Sequence, residues 1–210
     1  MPSMTHAYVG LGSNLGDRAG NLLLALRGML DAGLRVARLS SIYETEPVGV
    51  TTDQPLFLNL VAELALDTQT TSADATSAET TTAGATSAGA ASADAPAVPS
   101  PEQLLARLLR IEYQLGRRRL RPLAPRTIDL DLLLYGDVLA DTAYLTLPHP
   151  RLHLRRFVLA PLAELAPRAM HPTLGRSFAA LLSELSDASL VRLWTPASGG
   201  ESSTESEIFN

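Results

Sequence analysis

In the stretch Pro125-Arg126-Thr127-Ile128-Asp129-Leu130-Asp131-Leu132-Leu133-Leu134-Tyr135-Gly136, two carboxylates stand one residue apart in an otherwise apolar run. The run reads as a β-strand. Side chains alternate faces along a strand, so Asp129 and Asp131 share one face while Ile128, Leu130, Leu132 and Leu134 share the other, towards a core. The two aspartate Cα atoms then lie about 6–7 Å apart, close enough for both carboxylates to hold one divalent cation or one each of two neighbouring cations. Arg117, Arg118, Arg119, Arg121 and Arg126 lie just upstream. Oxygen ligands for hard cations beside guanidiniums for phosphates are the parts that phosphoryl transfer needs. The plain alternative is a solvated strand face next to a solvated basic loop. Aspartate is a poor strand former, however, and two of them in one apolar strand need a reason.

Other patterns narrow the chemistry. Gly10-Leu11-Gly12-Ser13-Asn14-Leu15-Gly16 is rich in glycine but is not G-x-G-x-x-G, and alone it reads as a tight strand-to-helix turn. His149 in Pro148-His149-Pro150 could touch a phosphate or cap a turn; His6 and His171 stand in no pattern. No G-x-S-x-G occurs, and no nucleophilic triad can be assembled. Cysteine is absent, which excludes thiolate chemistry and fits a reducing compartment. All 17 basic residues are arginine, so there is no P-loop lysine and no Schiff-base lysine, and any phosphate clamp must be built from guanidiniums. A net charge of −5 argues against a nucleic-acid partner. No apolar run reaches the ~18 residues that span a bilayer, and the N-terminus has no basic stretch ahead of an apolar one. A soluble, cytoplasmic, monomeric protein acting on small molecules is expected.

The elements that must position these residues follow from periodicity. A strand is predicted over 5–13, a turn to Asp17, and a helix to about Ala32 with Leu22, Leu23, Leu26, Met29 and Leu30 at helical spacing. Gly33 marks its end. A second strand is predicted over 34–43 and a third over 56–66, with Phe57, Asn59 and Val61 on one face. Residues 68–98 are dominated by alanine, threonine and serine, and are expected to be a disordered insert. Ser100, Pro101 and Gln103 form a capping-box signature for a second helix to about Leu115, with Leu104, Leu105, Leu108, Ile111 and Leu115 inward. The aspartate strand follows, then two shorter helices over 156–165 and 178–185 and a last short strand over 190–194. The order β-α-β-β-α-β predicts an α+β, ferredoxin-like antiparallel sheet with helices packed on one face. The expected domain is 1–198, with 199–210 a flexible tail. That fold hosts many functions and does not decide among them.

Five motifs at matching spacing carry a resemblance. They are Val9 to Gly16, Ser40 to Gly49, Gln54-Pro55-Leu56-Phe57-Leu58-Asn59, Pro125 to Asp131, and Leu147-Pro148-His149-Pro150-Arg151. Together they resemble the 6-hydroxymethyl-7,8-dihydropterin pyrophosphokinase family, over roughly residues 5–185. The resemblance implies transfer of pyrophosphate from ATP to the pterin hydroxymethyl oxygen, with release of AMP and with two Mg2+ ions. It implies that Asp129 and Asp131 hold both ions, and that Arg117, Arg119 and Arg126 clamp phosphates. Glu112, Leu132, Thr146, His149 and Arg155 match nucleotide contacts. Phe57 and Phe157 match an aromatic sandwich around the pterin, with Asn59 and the Thr45, Glu46 and Val48 loop at its edge. Leu123 stands where several relatives carry tryptophan, and Leu109 and Tyr144 stand where some carry polar or basic groups. The insert joins the third strand to the second helix, so it is expected to project away from the site. The rivals are a non-catalytic ferredoxin-like module that binds nucleotide or metal, an RNA-binding module, and an ATP phosphotransferase that releases ADP.

Overall fold

Strict alternation along two strands builds the centre of the sheet. In β1 (His6–Ser13), Ala7, Val9 and Leu11 turn to one face and are almost wholly buried. In β4 (Phe57–Ala65), Leu58, Leu60, Ala62 and Leu64 turn to the same face, and the antiparallel register sets Val9 opposite Ala62 and Leu11 opposite Leu60. Two helices close this face. Helix α1 (Arg18–Asp31) starts where the Asp17 carboxylate accepts from the Gly20 N–H at 2.9 Å, and it buries Leu22, Ala25 and Met29. Helix α2 (Pro101–Gln114) carries the predicted capping box between Ser100 and Gln103, and it buries Leu104, Leu108 and Ile111. These side chains form one apolar cluster with the strands beneath them. The computed structural model describes residues 5–50, 53–66, 98–118 and 124–196.

The strands run β5 (Asp129–Tyr135), β1, β4, β3 (Tyr43–Thr45), β8 (Val191–Leu193), with β2 (Arg35–Leu39) also paired to β4. Every pairing is antiparallel. Because β1 and β2 are each antiparallel to β4, they are parallel to one another with β4 between them. The expected antiparallel sheet packed by helices is present. A short hairpin of β6 (Ala140–Asp141) and β7 (Thr146–Leu147) lies apart. No described helix is long and apolar enough to cross a membrane.

Four sequence expectations change. Helices cover both faces of the sheet rather than one. Helices α3 (Arg156–Leu165) and α4 (Phe178–Glu184) bury Val158, Leu159, Leu162, Leu165 and Phe178 on the second face, against Val61, Leu133 and Leu134. The strand predicted over 34–43 is split into β2 and β3. Between them, Ser40 Oγ accepts from the Val61 N–H at 2.9 Å while the Ser40 N–H donates to the Val61 carbonyl, so a side chain occupies a ladder position and breaks the run. Leu134 does not share a face with Leu130 and Leu132. Tyr8 pairs with Leu134 but Val9 pairs with Leu132, which makes Leu133 an extra residue, and this bulge carries Leu134 to the second face beside Leu133. Finally, Leu23 and Leu30 of α1, set at helical spacing with Leu22, Leu26 and Met29, do not join the buried stripe and are 64% and 55% exposed. Helical spacing alone does not say how wide the buried stripe is.

The insert expected at 68–98 lies outside the described residues, apart from Val98, which packs against the first-face core. Its two attachment points are Leu66 and Val98. Ala65 pairs with His6 and Arg35, at the end of the sheet away from the Gly12–Asp129 pair.

Both apolar clusters grip the same sheet, so unfolding should be a single transition. Leu159→Ala, which empties a fully buried position in the second-face cluster, is expected to cost about 2–5 kcal/mol in urea denaturation with the slope unchanged. A loss below about 1 kcal/mol would contradict a tightly packed second layer.

Candidate active site

The second face of the sheet is only half covered. Helices α3 and α4 pack over Val61, Leu133 and Leu134, while the end bearing Gly10, Gly12, Phe57, Asn59, Asp129 and Asp131 stays open as a cavity of about 230 Å³. The glycines make the opening. A Cβ on Gly12 would stand 2.7 Å from Asn59 Oδ1, and a Cβ on Gly10 would meet Leu133. Gly12 is thus required by the close approach of Asn59.

One end of the cavity is charged. Asp129 pairs across the sheet with Gly12, and Asp131 pairs with Gly10, so both carboxylates rise from the same face over residues without side chains. The Arg117 guanidinium bonds both Glu112 and Asp129. Arg126 Nη1 donates to Asp129 Oδ2 at 2.6 Å. Glu112 is buried beneath this end, and its Oε1 also accepts from the Leu130 N–H at 2.8 Å, which ties the C-terminal turn of α2 to β5. Among the described residues, Asp131 has no such close guanidinium partner. Burial, followed by the neighbouring Asp129 charge, pushes its carboxyl above the usual range despite Arg155 and Arg117. His149, Arg151 and Arg155 complete this end. Burial, then Arg155 and Arg151, lowers His149 to about 4, so the ring is neutral at physiological pH. Its Nδ1 accepts from the Arg151 N–H at 3.2 Å, which leaves Nε2–H as the donor.

The other end is aromatic and amide-rich. Phe57 and Phe157 both line it, with Thr45, Glu46, Pro47, Val48 and Asn59 at its rim. The Arg126 guanidinium lies 5.6 Å from the Phe57 ring centre, and that of Arg155 lies 5.4 Å from the Phe157 ring centre, so each ring joins the polar end to the apolar one. Asn59 Nδ2 donates to Thr45 Oγ1 at 2.7 Å across the β3–β4 pair, which fixes the amide orientation. Glu46 is strapped from outside, where its Oε2 accepts from the Leu190 N–H at 3.1 Å and its own N–H donates to the Leu190 carbonyl. Beneath the rim, Glu44 binds Arg18 and Arg192, and Arg18 reaches the Leu56 carbonyl at 2.8 Å.

Of the residues singled out from sequence, Arg117, Arg126, Asp129, Asp131, His149, Arg155, Thr45, Glu46, Val48, Phe57, Asn59 and Phe157 all line this one cavity. Glu112 stands behind it and acts through Arg117 and the Leu130 amide. Leu132 packs its side chain into the first-face core. Thr146, on β7, borders a second hollow shared with His149, His153 and His171. Arg119 lies outside the described residues, as do Arg121 and Leu123. Sequence reasoning did not single out Arg151 or Gln54, which also line the cavity. Arg151 could have been found as the basic neighbour of the Pro-His-Pro turn. Gln54, in a loop ahead of β4, has no periodic signal.

A Mg2+-type cation fits the donor set. Among the described residues there is no cluster of three or more histidine, cysteine or carboxylate side chains able to cage a metal. Asp129 and Asp131 instead offer two carboxylates on one face, beside the Arg117 and Arg126 guanidiniums. Mg2+ commonly takes one or two carboxylates and completes its shell with waters and substrate phosphates.

The family model described as 7,8-dihydro-6-hydroxymethylpterin-pyrophosphokinase (HPPK) matches residues 8–83 and 90–167. A Synechocystis sp. protein named 2-amino-4-hydroxy-6-hydroxymethyldihydropteridine pyrophosphokinase is 36% identical over 202 residues, covering 95% of this chain and 85% of that one. A Bacillus subtilis protein of the same name is 34% identical, covering 96% and 97%. Among solved structures, an HPPK-DHPS crystallised with substrates superposes with a TM-score of 0.58 at 12% identity; it covers 86% of this chain, which spans 43% of that longer one. The fold is therefore shared with that part of a larger protein. From the matched family model and the extended identity to these relatives, the chain belongs to the 7,8-dihydro-6-hydroxymethylpterin-pyrophosphokinase family.

Proposed function

We propose that the protein catalyses the pyrophosphokinase step of folate biosynthesis, moving the β,γ-pyrophosphoryl group of ATP to the hydroxymethyl oxygen of 6-hydroxymethyl-7,8-dihydropterin. The observation that carries this reading is a single cavity joining a carboxylate–arginine end to an end walled by two phenylalanines and rimmed by an amide. We read the sheet as the ferredoxin-like split β-α-β arrangement expected from the sequence, a reading supported by the order β5-β1-β4 with β2 on the far side of β4.

The chain's own residues divide the work. Phe57 and Phe157 offer apolar faces to a flat heterocycle, and Asn59, Thr45 and the Glu46–Val48 backbone offer polar partners at its edge. Arg117, Arg126 and Arg155 hold phosphate oxygens, with Arg119 as a further candidate from the sequence; the His149 Nε2–H adds a neutral donor. Glu112 orients Arg117 and the start of β5. Asp129 and Asp131 are the residues that would hold two Mg2+ ions, which would offset charge on the phosphates and lower the pKa of the attacking hydroxyl. The pterin oxygen forms a bond to the β-phosphorus. The bond from that phosphorus to the α,β-bridging oxygen breaks, AMP leaves with that oxygen, and the hydroxyl proton is released. Holding both partners in line supplies much of the rate.

Incubation with ATP, Mg2+ and the pterin, followed by identification of the released nucleotide, tests the reaction. AMP is expected; ADP, or no release, rejects it in favour of a phosphotransferase or a non-catalytic nucleotide-binding module. Asp129→Ala and Asp131→Ala should each lower the rate at least ~10²-fold, about 3 kcal/mol of lost transition-state stabilisation, and parental rates in either would contradict the metal role. His149 gives a pH test. In the unfolded chain it protonates near its ordinary 6.5, but in the folded protein only near about 4. Its contribution to stability is therefore present above pH 6.5 and is lost as the pH falls towards 4. Melting temperatures should drop more steeply over that window in the parent than in His149→Gln, and parallel curves would contradict the shift.

A further inference from the structure

We propose that Asn14, which does not line the cavity, is a positioning residue that holds the phosphate arm and the pterin loop in register. The inference rests on the pyrophosphoryl-transfer reading above. Asn14 is the first residue past β1 and is 1% exposed. Strand β1 lies between β5 and β4, so the residue beyond its end is flanked by the entry to both neighbours. Asn14 uses that place fully. Its Oδ1 accepts from the Arg126 N–H at 2.8 Å, and its own N–H donates to the Arg126 carbonyl at 3.1 Å. Its Nδ2 donates to the Pro55 carbonyl at 3.3 Å and to Gln54 Oε1 at 3.4 Å.

These two ties end on opposite halves of the site. Arg126 reaches Asp129 with its guanidinium, while Pro55 stands two residues ahead of Phe57. The Arg126 guanidinium also stacks on Phe57, so a shift of either segment misplaces both. Buried Arg126 Nε has no hydrogen-bond partner among the described residues, which leaves the backbone anchor at Asn14 a larger share in placing the side chain. The carboxamide is the group this position needs. One atom must accept from an amide N–H and the other must donate to a carbonyl, at the reach of a single methylene. Aspartate keeps the acceptor and loses the donor. Alanine loses both.

That asymmetry separates positioning from general stability. In Asn14→Asp the Arg126 tie survives and the Pro55 tie is lost, so KM for the pterin should rise ten-fold or more while KM for ATP stays within three-fold. In Asn14→Ala both KM values should rise, kcat should fall at least ten-fold, and the Arg126 amide should exchange its hydrogen at least ten-fold faster than in the parent. Melting temperatures are recorded alongside. Equal changes in both KM values for Asn14→Asp, or unchanged kinetics and exchange in a folded Asn14→Ala, would overturn the inference. Should Asn14→Asp not fold, the alanine variant decides alone by the same amide and kinetic readouts. A parent that releases no AMP would reject the reaction instead. The positioning role would then be read from calorimetric affinities of Mg-ATP and of the pterin in the same variants, with the same asymmetry expected and equal losses counting against it.

Discussion

The site depends on one pairing, that of β5 with β1. It sets Asp129 opposite Gly12 and Asp131 opposite Gly10. Two carboxylates on neighbouring same-face positions of a sheet would ordinarily be crowded by the cross-strand side chains. Here the partner strand contributes none, and the space above it becomes the cavity floor. The same glycine row admits Asn59 from β4 on the other side, so one pairing fixes the carboxylate pair and the amide rim at once. Farther along β5, the bulge at Leu133 turns Leu134 as well as Leu133 towards α3 and α4, which closes the face where the cavity ends.

Charge compensation at that floor is unequal. Asp129 is held by two guanidiniums, and Arg117 in turn is held by buried Glu112. Breaking such a buried network leaves an uncompensated charge, so these residues constrain each other. Among the described residues Asp131 lacks a comparable partner, and burial with the neighbouring Asp129 charge raises its carboxyl above the usual range. In the proposed reaction a cation arriving with a triphosphate would relieve that imbalance and would free the guanidiniums on Asp129 for phosphate.

Much of the arrangement was legible beforehand, for particular reasons. The alternation of Ile128, Asp129, Leu130 and Asp131 is a local property of a strand, and the helix starts at Ser100 and Asp17 are written in side chains that bond their own backbone. The motif around His149 likewise pointed to a residue that lines the cavity. What failed was non-local. Ser40 interrupts a strand because its hydroxyl meets a β4 amide that its own segment does not reveal. Leu23 and Leu30 repeat at helical spacing but face away from the sheet. Leu132 alternates onto the core face, opposite the aspartates, so any share it takes in nucleotide binding falls to its backbone.

The sequence by itself determined which residue types were available: two carboxylates at strand spacing, arginine as the only cation for phosphate, two well-placed phenylalanines and a ladder of core leucines. It did so because periodicity and capping act over a few residues. Only the tertiary structure decided that residues as far apart as Gly12, Asn59, Asp129 and Phe157 share one opening, and that Asn14 stands where it can tie Pro55 to Arg126. Those outcomes depend on strand order, and strand order is settled by how two apolar faces are buried together, a constraint that no single segment carries.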